Sequence, residues 1–245
     1  MNKVDLWQDH SDQKKLDGRW GTSMPTSDLV YSVATRQHAA EIEKFLREEF
    51  RINEPITSSI GATDADVADL FHGIAESGYG SEKYSMVVYK NTRRKYRFLP
   101  QHYVLHCKEV LLLVRLEIAN GPYRQHKSNQ IAVLLDVIES KQVVLLGNGS
   151  KVFKCDVLCV SRAARGQGIA KRLTEMAIDT ARREGCDWMA SDATAVASQN
   201  LLAKYGFKTL LEIPYSNYLD NGEVVFKNLP DGGKSAKFIA LSLKD

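Results

Sequence analysis

The stretch Val157 to Ala170, V-L-C-V-S-R-A-A-R-G-Q-G-I-A, constrains this chain more than any other, because an apolar run gives way to a short basic turn and then to a helical pattern. The spacing predicts a strand over Val152–Val160 that stops at Ser161-Arg162, and a helix from Gly168 to Glu184 ended by Gly185. Gly166 and Gly168 keep side chains out of the turn and let consecutive backbone N–H groups face outward. The helix adds its unpaired first-turn donors and the positive end of its dipole, so the predicted occupant of the turn is an anionic phosphate group. A Walker loop needs G-x-x-x-x-G-K followed by Ser or Thr, which the chain lacks. A dinucleotide fingerprint needs G-x-G-x-x-G, whereas the order here is Gly166-Gln167-Gly168-Ile169-Ala170-Lys171. Both nucleotide readings fail on spacing.

At 245 residues, 44% hydrophobic and 26% charged, the composition is that of one soluble domain with a full core. The expected division is a polar tail over 1–28 and a single domain over 29–245. Lys3, Asp5, Asp9, Asp12, Lys14, Lys15 and Asp17 leave the tail no apolar core, so it does not read as a secretory signal. Lys and Arg total 33 against 30 Asp and Glu, a net charge of +3, too balanced for nucleic-acid binding as the main role. The basic runs Thr92-Arg93-Arg94-Lys95 and Arg182-Arg183 read as solvated faces. No apolar run approaches the roughly 20 residues that span a bilayer. A cytoplasmic monomer with no membrane partner is the expectation. Cys107, Cys155, Cys159 and Cys186 have neither C-x-x-C spacing nor a matching His pair, so reduced buried thiols are expected and no metal.

Leu29–Ala34 reads as a first strand, followed by a helix capped by Thr35 with Ala39, Ile42, Phe45, Leu46 and Phe50 on one face, ending near Asn53-Glu54-Pro55. Thr63-Asp64-Ala65-Asp66 is a capping box with Asp in the Glu position, opening a helix with Val67, Leu70, Phe71 and Ile74 that runs to Gly78 and Gly80. Tyr84–Tyr89 and Glu109–Ile118 are β-rich runs around a basic insertion, Lys90–Cys107, and Ser128–Ser140 is an apolar helix with Ile131, Leu134, Leu135 and Ile138 buried. In the helix that follows the glycine turn, Ile169, Leu173, Met176, Ala177 and Thr180 form the inner face. Asp187–Ala190 is a short strand, Ser198–Tyr205 a short helix closed by Gly206, and Phe207–Ile213 and Lys237–Ser242 are the last strands. This order of elements predicts an α/β sandwich around a mixed sheet.

The glycine turn also fits Q/R-x-x-G-x-G/A, carried as Arg165-Gly166-Gln167-Gly168-Ile169-Ala170, and so resembles the acetyl-CoA loop of the GNAT N-acetyltransferase superfamily. Ser198 to Phe207 resembles that superfamily's short helix ending in G-F, which flanks the pantetheine arm. Phe50-Arg51-Ile52-Asn53-Glu54-Pro55-Ile56 is similar to the E-P-L or E-P-I segment of insect-type arylalkylamine N-acetyltransferases, and Tyr215-Ser216-Asn217-Tyr218 with Val225-Phe226-Lys227 to their C-terminal pattern. The resemblance covers roughly residues 29 to 243. It implies a mixed, mostly antiparallel central sheet flanked by helices, and acetyl transfer from acetyl-CoA to a small arylalkylamine such as serotonin, dopamine or tyramine, by direct attack in a ternary complex. Two other outcomes stay open: transfer to a polyamine or to a protein lysine or N-terminus, and a noncatalytic CoA-binding module.

The resemblance implies cofactor contacts from Leu158, Cys159 and Val160, whose backbone would pair with pantetheine, and from the pyrophosphate loop Arg165, Gly166, Gln167, Gly168, Ile169 and Ala170. It implies Glu54 as general base. An amine with a pKa near that of lysine, about 10.4, costs roughly 4 to 5 kcal/mol to deprotonate at pH 7, so a carboxylate with a raised pKa is useful there. Glu48 and Glu49, nearby, are expected to face solvent. Thr194 and Ser198 occupy positions where the family carries hydroxyls, Thr194 replacing the usual serine. The tyrosine acid of many superfamily members is Leu202 here, which leaves Ser198 as the candidate to protonate the departing thiolate. Asn53 replaces an acidic residue often found before the glutamate. Tyr205 is assigned to packing, as is Cys159 in place of a nucleophilic role. Tyr79, Tyr84, Tyr215 and Tyr218 are pocket candidates, although strand and loop tyrosines are more often core.

Overall fold

The computed structural model describes residues 29–80, 83–90, 97–99 and 118–244. The polar segment 1–28, Cys107, the basic run 92–95 and the expected strand Glu109–Ile118 up to its last residue lie outside the described residues.

Strand β1 (Leu29–Val33) pairs antiparallel with β2 (Met86–Lys90), and β2 with β3 (Arg97–Leu99), which falls inside the stretch read as an insertion. Thr35 caps the helical segment as expected, but through a 3-10 turn, Arg36–His38, in which the His38 ring accepts from the Thr35 N–H at 2.9 Å, where a capping box usually has Glu. Helix α1 (Ala39–Phe45) buries Ile42 and Phe45, continues through one π turn over Leu46–Phe50, and ends in Arg51–Asn53. Such π turns are frequent at functional sites. Phe50 and Asn53 line the cavity described below.

A short helix α2 (Pro55–Ser59) follows, and α3 (Asp64–Gly80) opens with the expected box: Thr63 N–H donates to Asp66 Oδ2 at 2.7 Å, and Asp66 N–H to Thr63 Oγ1 at 3.3 Å. Helix α4 (His126–Glu139) starts two residues before the expected point, with Ile131, Leu134 and Ile138 buried and Leu135 half-buried. A one-turn helix α5 (Gln142–Leu146) was not expected from the sequence.

The second sheet has the order β4-β5-β9-β6. Strand β4 (Val152–Lys154) runs parallel to β5 (Trp188–Ala193), while β9 (Ser235–Ser242) is antiparallel to both β5 and β6 (Lys208–Pro214). The sheet is therefore mixed and mostly antiparallel. Helices α6 (Ile169–Arg183) and α7 (Val196–Lys204) both end in Schellman closures: Cys186 N–H reaches Ala181 O at 3.0 Å over Gly185, and Phe207 N–H reaches Leu202 O at 3.3 Å over Gly206. The two glycines take φ of +66° and +88°, so only they close the turns without strain. On α6, Ile169, Leu173, Thr174, Ala177, Ile178 and Ala181 are buried, whereas Met176 and Thr180 are half-buried. Asn221-Gly222, both at positive φ, turn the small hairpin of β7 (Leu219–Asp220) and β8 (Glu223–Val224), an N-G signal that sequence reading passed over.

Two apolar cores lie on the sheet's two faces. Val152, Ala190, Ala236, Phe238 and Ala240 pack toward α1, α3 and α4; Phe153, Met189, Ala193 and Ile239 pack toward α6 and α7. One correction matters for the site. The expected strand Val152–Val160 stops at Lys154. Cys155 N–H still donates to Ala190 O at 2.8 Å, but Ser191 Oγ, not a backbone N–H, takes the Cys155 carbonyl at 2.8 Å, and residues 156–160 run on outside the β4–β5 ladder. No helix among the described residues is long and apolar enough to cross a membrane.

Candidate active site

Where the chain leaves β4 beside β5, it opens a cavity of about 510 Å³. Leu158, Cys159 and Val160 line one wall, and Arg165, Gly166, Gly168, Ile169, Ala170 and Lys171 continue it. Gly166 and Gly168 take φ of +78° and +74°, with nothing within 4 Å of where a Cβ would stand. Gly168 is the N-cap of α6 in the left-handed conformation, and the first-turn residues Ile169, Ala170 and Lys171, whose N–H groups have no intrahelical partner, line the cavity together with Arg165. A glycine-opened helix N-terminus of this kind is chemically suited to an anionic phosphate group. Gln167, expected among the cradle residues, is exposed and does not line the cavity.

Glu54 lines the same cavity. Preceding Pro55, it is biased to extended backbone, and its ψ of 123° makes it the N-cap of α2, with Pro55 at the first helical position. Its carboxylate turns back on the helix: Oε2 accepts from Thr57 N–H at 2.7 Å and Thr57 Oγ1 at 2.6 Å, and Oε1 from Ile56 N–H at 3.3 Å. The fourth donor comes from another element. Thr194 Oγ1, just past β5, donates to Glu54 Oε1 at 2.9 Å. Glu54 is only 8% exposed; burial raises its pKa, and the hydrogen bonds from Thr57, Thr194 and Ile56 offset part of that rise. Beneath it, Tyr215 OH donates to the Thr194 carbonyl at 2.8 Å and packs edge-on against Phe226. Tyr215 therefore supports the site from the core, and Tyr79, Tyr84 and Tyr218 likewise do not line the cavity.

Asn53 and Glu49 join the Glu54 segment to the glycine turn. Asn53 Oδ1 accepts from Arg162 Nε at 2.5 Å, and Glu49 Oε2 accepts from Asn53 Nδ2 at 3.3 Å and from Arg162 N–H at 3.4 Å. Glu48 is exposed as expected, but Glu49 is not simply solvated. Ser198, two residues into α7, lines the cavity beside Thr194. Cys159 also lines it, yet burial pushes its thiol up to about 12, so it stays protonated and unsuited to nucleophilic attack at neutral pH. Cys155 and Cys186 are buried too, and no disulfide joins the described cysteines. Tyr205 packs away from the cavity, its OH donating to Glu175 Oε1 at 3.0 Å.

Sequence reading missed a buried charge cluster under the floor. Lys154 Nζ sits 2.7 Å from Asp192 Oδ2 and 3.1 Å from Glu139 Oε2. Burial alone would push the Lys154 pKa down, but Asp192, Asp156 and Glu139 outweigh it and hold the group as an ammonium. The available signal was a lysine in the run Val152–Lys154 and an aspartate in Trp188–Ala193, both mostly apolar strands. Among the described residues no group of His, Cys, Asp or Glu is disposed to hold a metal ion.

Residues 133–207, which hold the cradle, β5 and α7, match the family model described as the acetyltransferase (GNAT) family. Solved structures share the fold. Arylalkylamine N-acetyltransferase 2 from Aedes aegypti superposes with a TM-score of 0.71 at 20% identity, covering 88% of this chain and 99% of its own. Drosophila melanogaster polyamine N-acetyltransferase gives 0.69 at 20%, covering 88% and 100%. Mosquito arylalkylamine N-acetyltransferase-like 5b gives 0.71 at 18%, covering 88% and 100%.

Proposed function

We propose that this chain, a member of the GNAT acetyltransferase superfamily, transfers the acetyl group of acetyl-CoA to the primary amine of a small molecule in a single ternary complex. The observation that carries the reading is the meeting, in one cavity, of a glycine-opened helix N-terminus and a buried carboxylate held by a hydroxyl from another element. Either alone is common. A phosphate cradle and a proton acceptor in one cavity are what an acyl donor with a nucleotide tail and a cationic acceptor require.

In this reading the cradle from Arg165 to Ala170, with Lys171, holds the pyrophosphate, and the backbone of Leu158, Cys159 and Val160 aligns the pantetheine arm. The amine lone pair attacks the thioester carbonyl carbon, the C–S bond breaks, and the thiolate takes a proton from Ser198 or water. The amine proton leaves through Thr194. An ionised carboxylate has about four acceptor positions, and four donors already meet Glu54, so a fifth proton arrives most directly by exchange through a hydroxyl that both donates and accepts. Thr194 is the hydroxyl that touches both Glu54 and the cavity. Glu54 is then the base and Thr194 its relay.

Arylalkylamines are the acceptor class that the resemblance implies, and likeness to the mosquito enzymes supports it. A second reading, a diamine or polyamine, draws on the lining: Phe50 is its one aromatic side chain among the described residues, while Asp156, Asp192 and Asp231 join Glu54 there. Release of CoA thiol, followed over serotonin, dopamine, tyramine, polyamines and a lysine peptide, tests the function. Turnover of small amines is the expected result, and none with any amine, despite tight acetyl-CoA binding, would make the chain a noncatalytic CoA-binding module.

A further inference from the structure

The corner that carries Thr194 lacks a cap of its own. Between the end of β5 at Ala193 and the start of α7 at Val196, the N-cap position is Ala195, in extended backbone with φ of −96° and ψ of 139°. Ser, Thr, Asp and Asn are preferred at such a position because a side-chain oxygen takes a first-turn N–H, and alanine has no such oxygen. The missing acceptor comes from 35 residues downstream, where Asp231 Oδ2 accepts from Val196 N–H at 2.8 Å. The loop that delivers it is anchored in the core by Leu229, and Gly232 N–H returns to the Leu229 carbonyl at 2.9 Å with φ of +72°. Gly233 N–H donates to Asp231 Oδ1 at 3.0 Å, which leaves Oδ2 for Val196. A Cβ at Gly233 would stand 3.0 Å from that Oδ1, 3.4 Å from Leu229 Cδ2 and 3.6 Å from Val196 Cγ2, so a glycine suits the close approach of loop and helix.

Two further side chains hold the same corner. Tyr215 OH donates to the Thr194 carbonyl at 2.8 Å, and Gln199 Nε2 donates to the carbonyls of Ala193 and Ser235, each at 3.0 Å. Thr194 Oγ1 reaches Glu54 Oε1 from this corner, so the reach of the hydroxyl depends on where the backbone is pinned. Tyr215 is buried and Gln199 half-buried, whereas Asp231 is exposed and lines the cavity. It is the fastening that can be changed without opening the core.

We propose that Asp231 is a positioning residue, which caps α7 from another loop and thereby holds the Thr194 hydroxyl on Glu54. The inference rests on the relay reading above and extends it to a residue whose two carboxylate oxygens are both taken by backbone N–H groups. Loss of the cap frees the first turn of α7 and lets the corner shift, and a displacement of about 1 Å at a reacting group can cost about 10²-fold in rate.

The test compares Asp231→Ala with Asp231→Asn. Asparagine caps a helix as well as aspartate does but drops the charge, and alanine removes both. Asp231→Ala should lower kcat by about 10- to 100-fold with the KM for acetyl-CoA little changed. Asp231→Asn should stay within about threefold of the wild type. In a Thr194→Val background Asp231→Ala should cost almost nothing further, because the hydroxyl through which it acts is already gone. Equal losses in the two Asp231 variants would make charge the cause and overturn the cap, as would a full further loss on top of Thr194→Val or wild-type kcat in Asp231→Ala. A readout without turnover separates this inference from the catalytic reading: NMR of the protein without acetyl-CoA follows amide exchange at Val196 and the titration of the Glu54 carboxyl carbon. The hydrogen bond from Thr194 lowers the Glu54 pKa, so Asp231→Ala should speed Val196 exchange and raise the Glu54 pKa above its value in Asp231→Asn. If those shifts appear while the wild type acetylates no amine, the cap stands and the catalytic reading falls. If Val196 exchange and Glu54 titration are the same in both variants, the cap is overturned.

Discussion

Thr194 Oγ1 and Glu54 Oε1 lie 2.9 Å apart although 140 residues separate them in sequence. The contact ties the edge of the helical half to the end of β5 and gives the buried carboxylate its link to the cavity. Glu54→Gln should lower kcat at pH 7 by about 10²- to 10⁴-fold, with acetyl-CoA affinity retained. The deficit should shrink as pH approaches the amine pKa of about 10.4, where free base is abundant. Thr194→Val should reproduce most of that loss and Thr194→Ser should restore activity. A pH–rate profile for each variant checks this, and full activity in Thr194→Val would remove the relay.

Glu54 and Asp66 should act oppositely on stability as pH changes. Burial raises the Glu54 pKa above 4.5, so its protonated form favours the fold; the associated stability is present below about 4.5 and is lost as pH rises through the raised value. Asp66 is held at about 2 by the Thr63 backbone N–H first, then by the Thr63 hydroxyl and Lys127; its contribution is present above 3.8 and disappears as pH falls through about 2. In urea unfolding, Glu54→Gln should gain on the wild type as pH rises from 4.5 to 7, and Asp66→Asn should lose most at neutral pH and least near pH 2.

Gly168→Ala tests the cradle. At φ +74° an alanine costs about 1 to 2 kcal/mol in backbone strain, and its Cβ meets nothing in the protein. The fold should survive, but the methyl would stand where the loop must approach a phosphate. A loss of at least about tenfold in acetyl-CoA affinity, with a modest fall in Tm, is expected by calorimetry and thermal melting.

Lys154→Met should be among the most damaging substitutions, costing about 3 to 5 kcal/mol, because it leaves the Asp192 carboxylate buried without its cation. Adding Asp192→Asn should recover part of that loss. A double-mutant cycle in urea measures the coupling, and strict additivity would mean that the pair contributes nothing as a pair.

Local chemistry in the sequence determined a good deal. Gly166 and Gly168 dictated an open turn at a helix N-terminus, Gly185 and Gly206 dictated where α6 and α7 end, and Thr63 with Asp66 dictated where α3 begins, because each signal acts within a few residues. The Glu-Pro step likewise marked the end of the first helical segment near Asn53, whereas the short helix after it, capped by the Glu54 carboxylate, emerged only in the fold. Tertiary structure alone decided what those pieces do together. Only folding brings Thr194 onto Glu54, ends β4 at Lys154 by giving the Cys155 carbonyl to Ser191, sends Tyr215 into the core, and sets Lys154 between Asp192 and Glu139. These contacts depend on strand pairing and on which face of the sheet each residue takes, and a charge in an apolar run does not reveal its partner until the other strand and helix are in place.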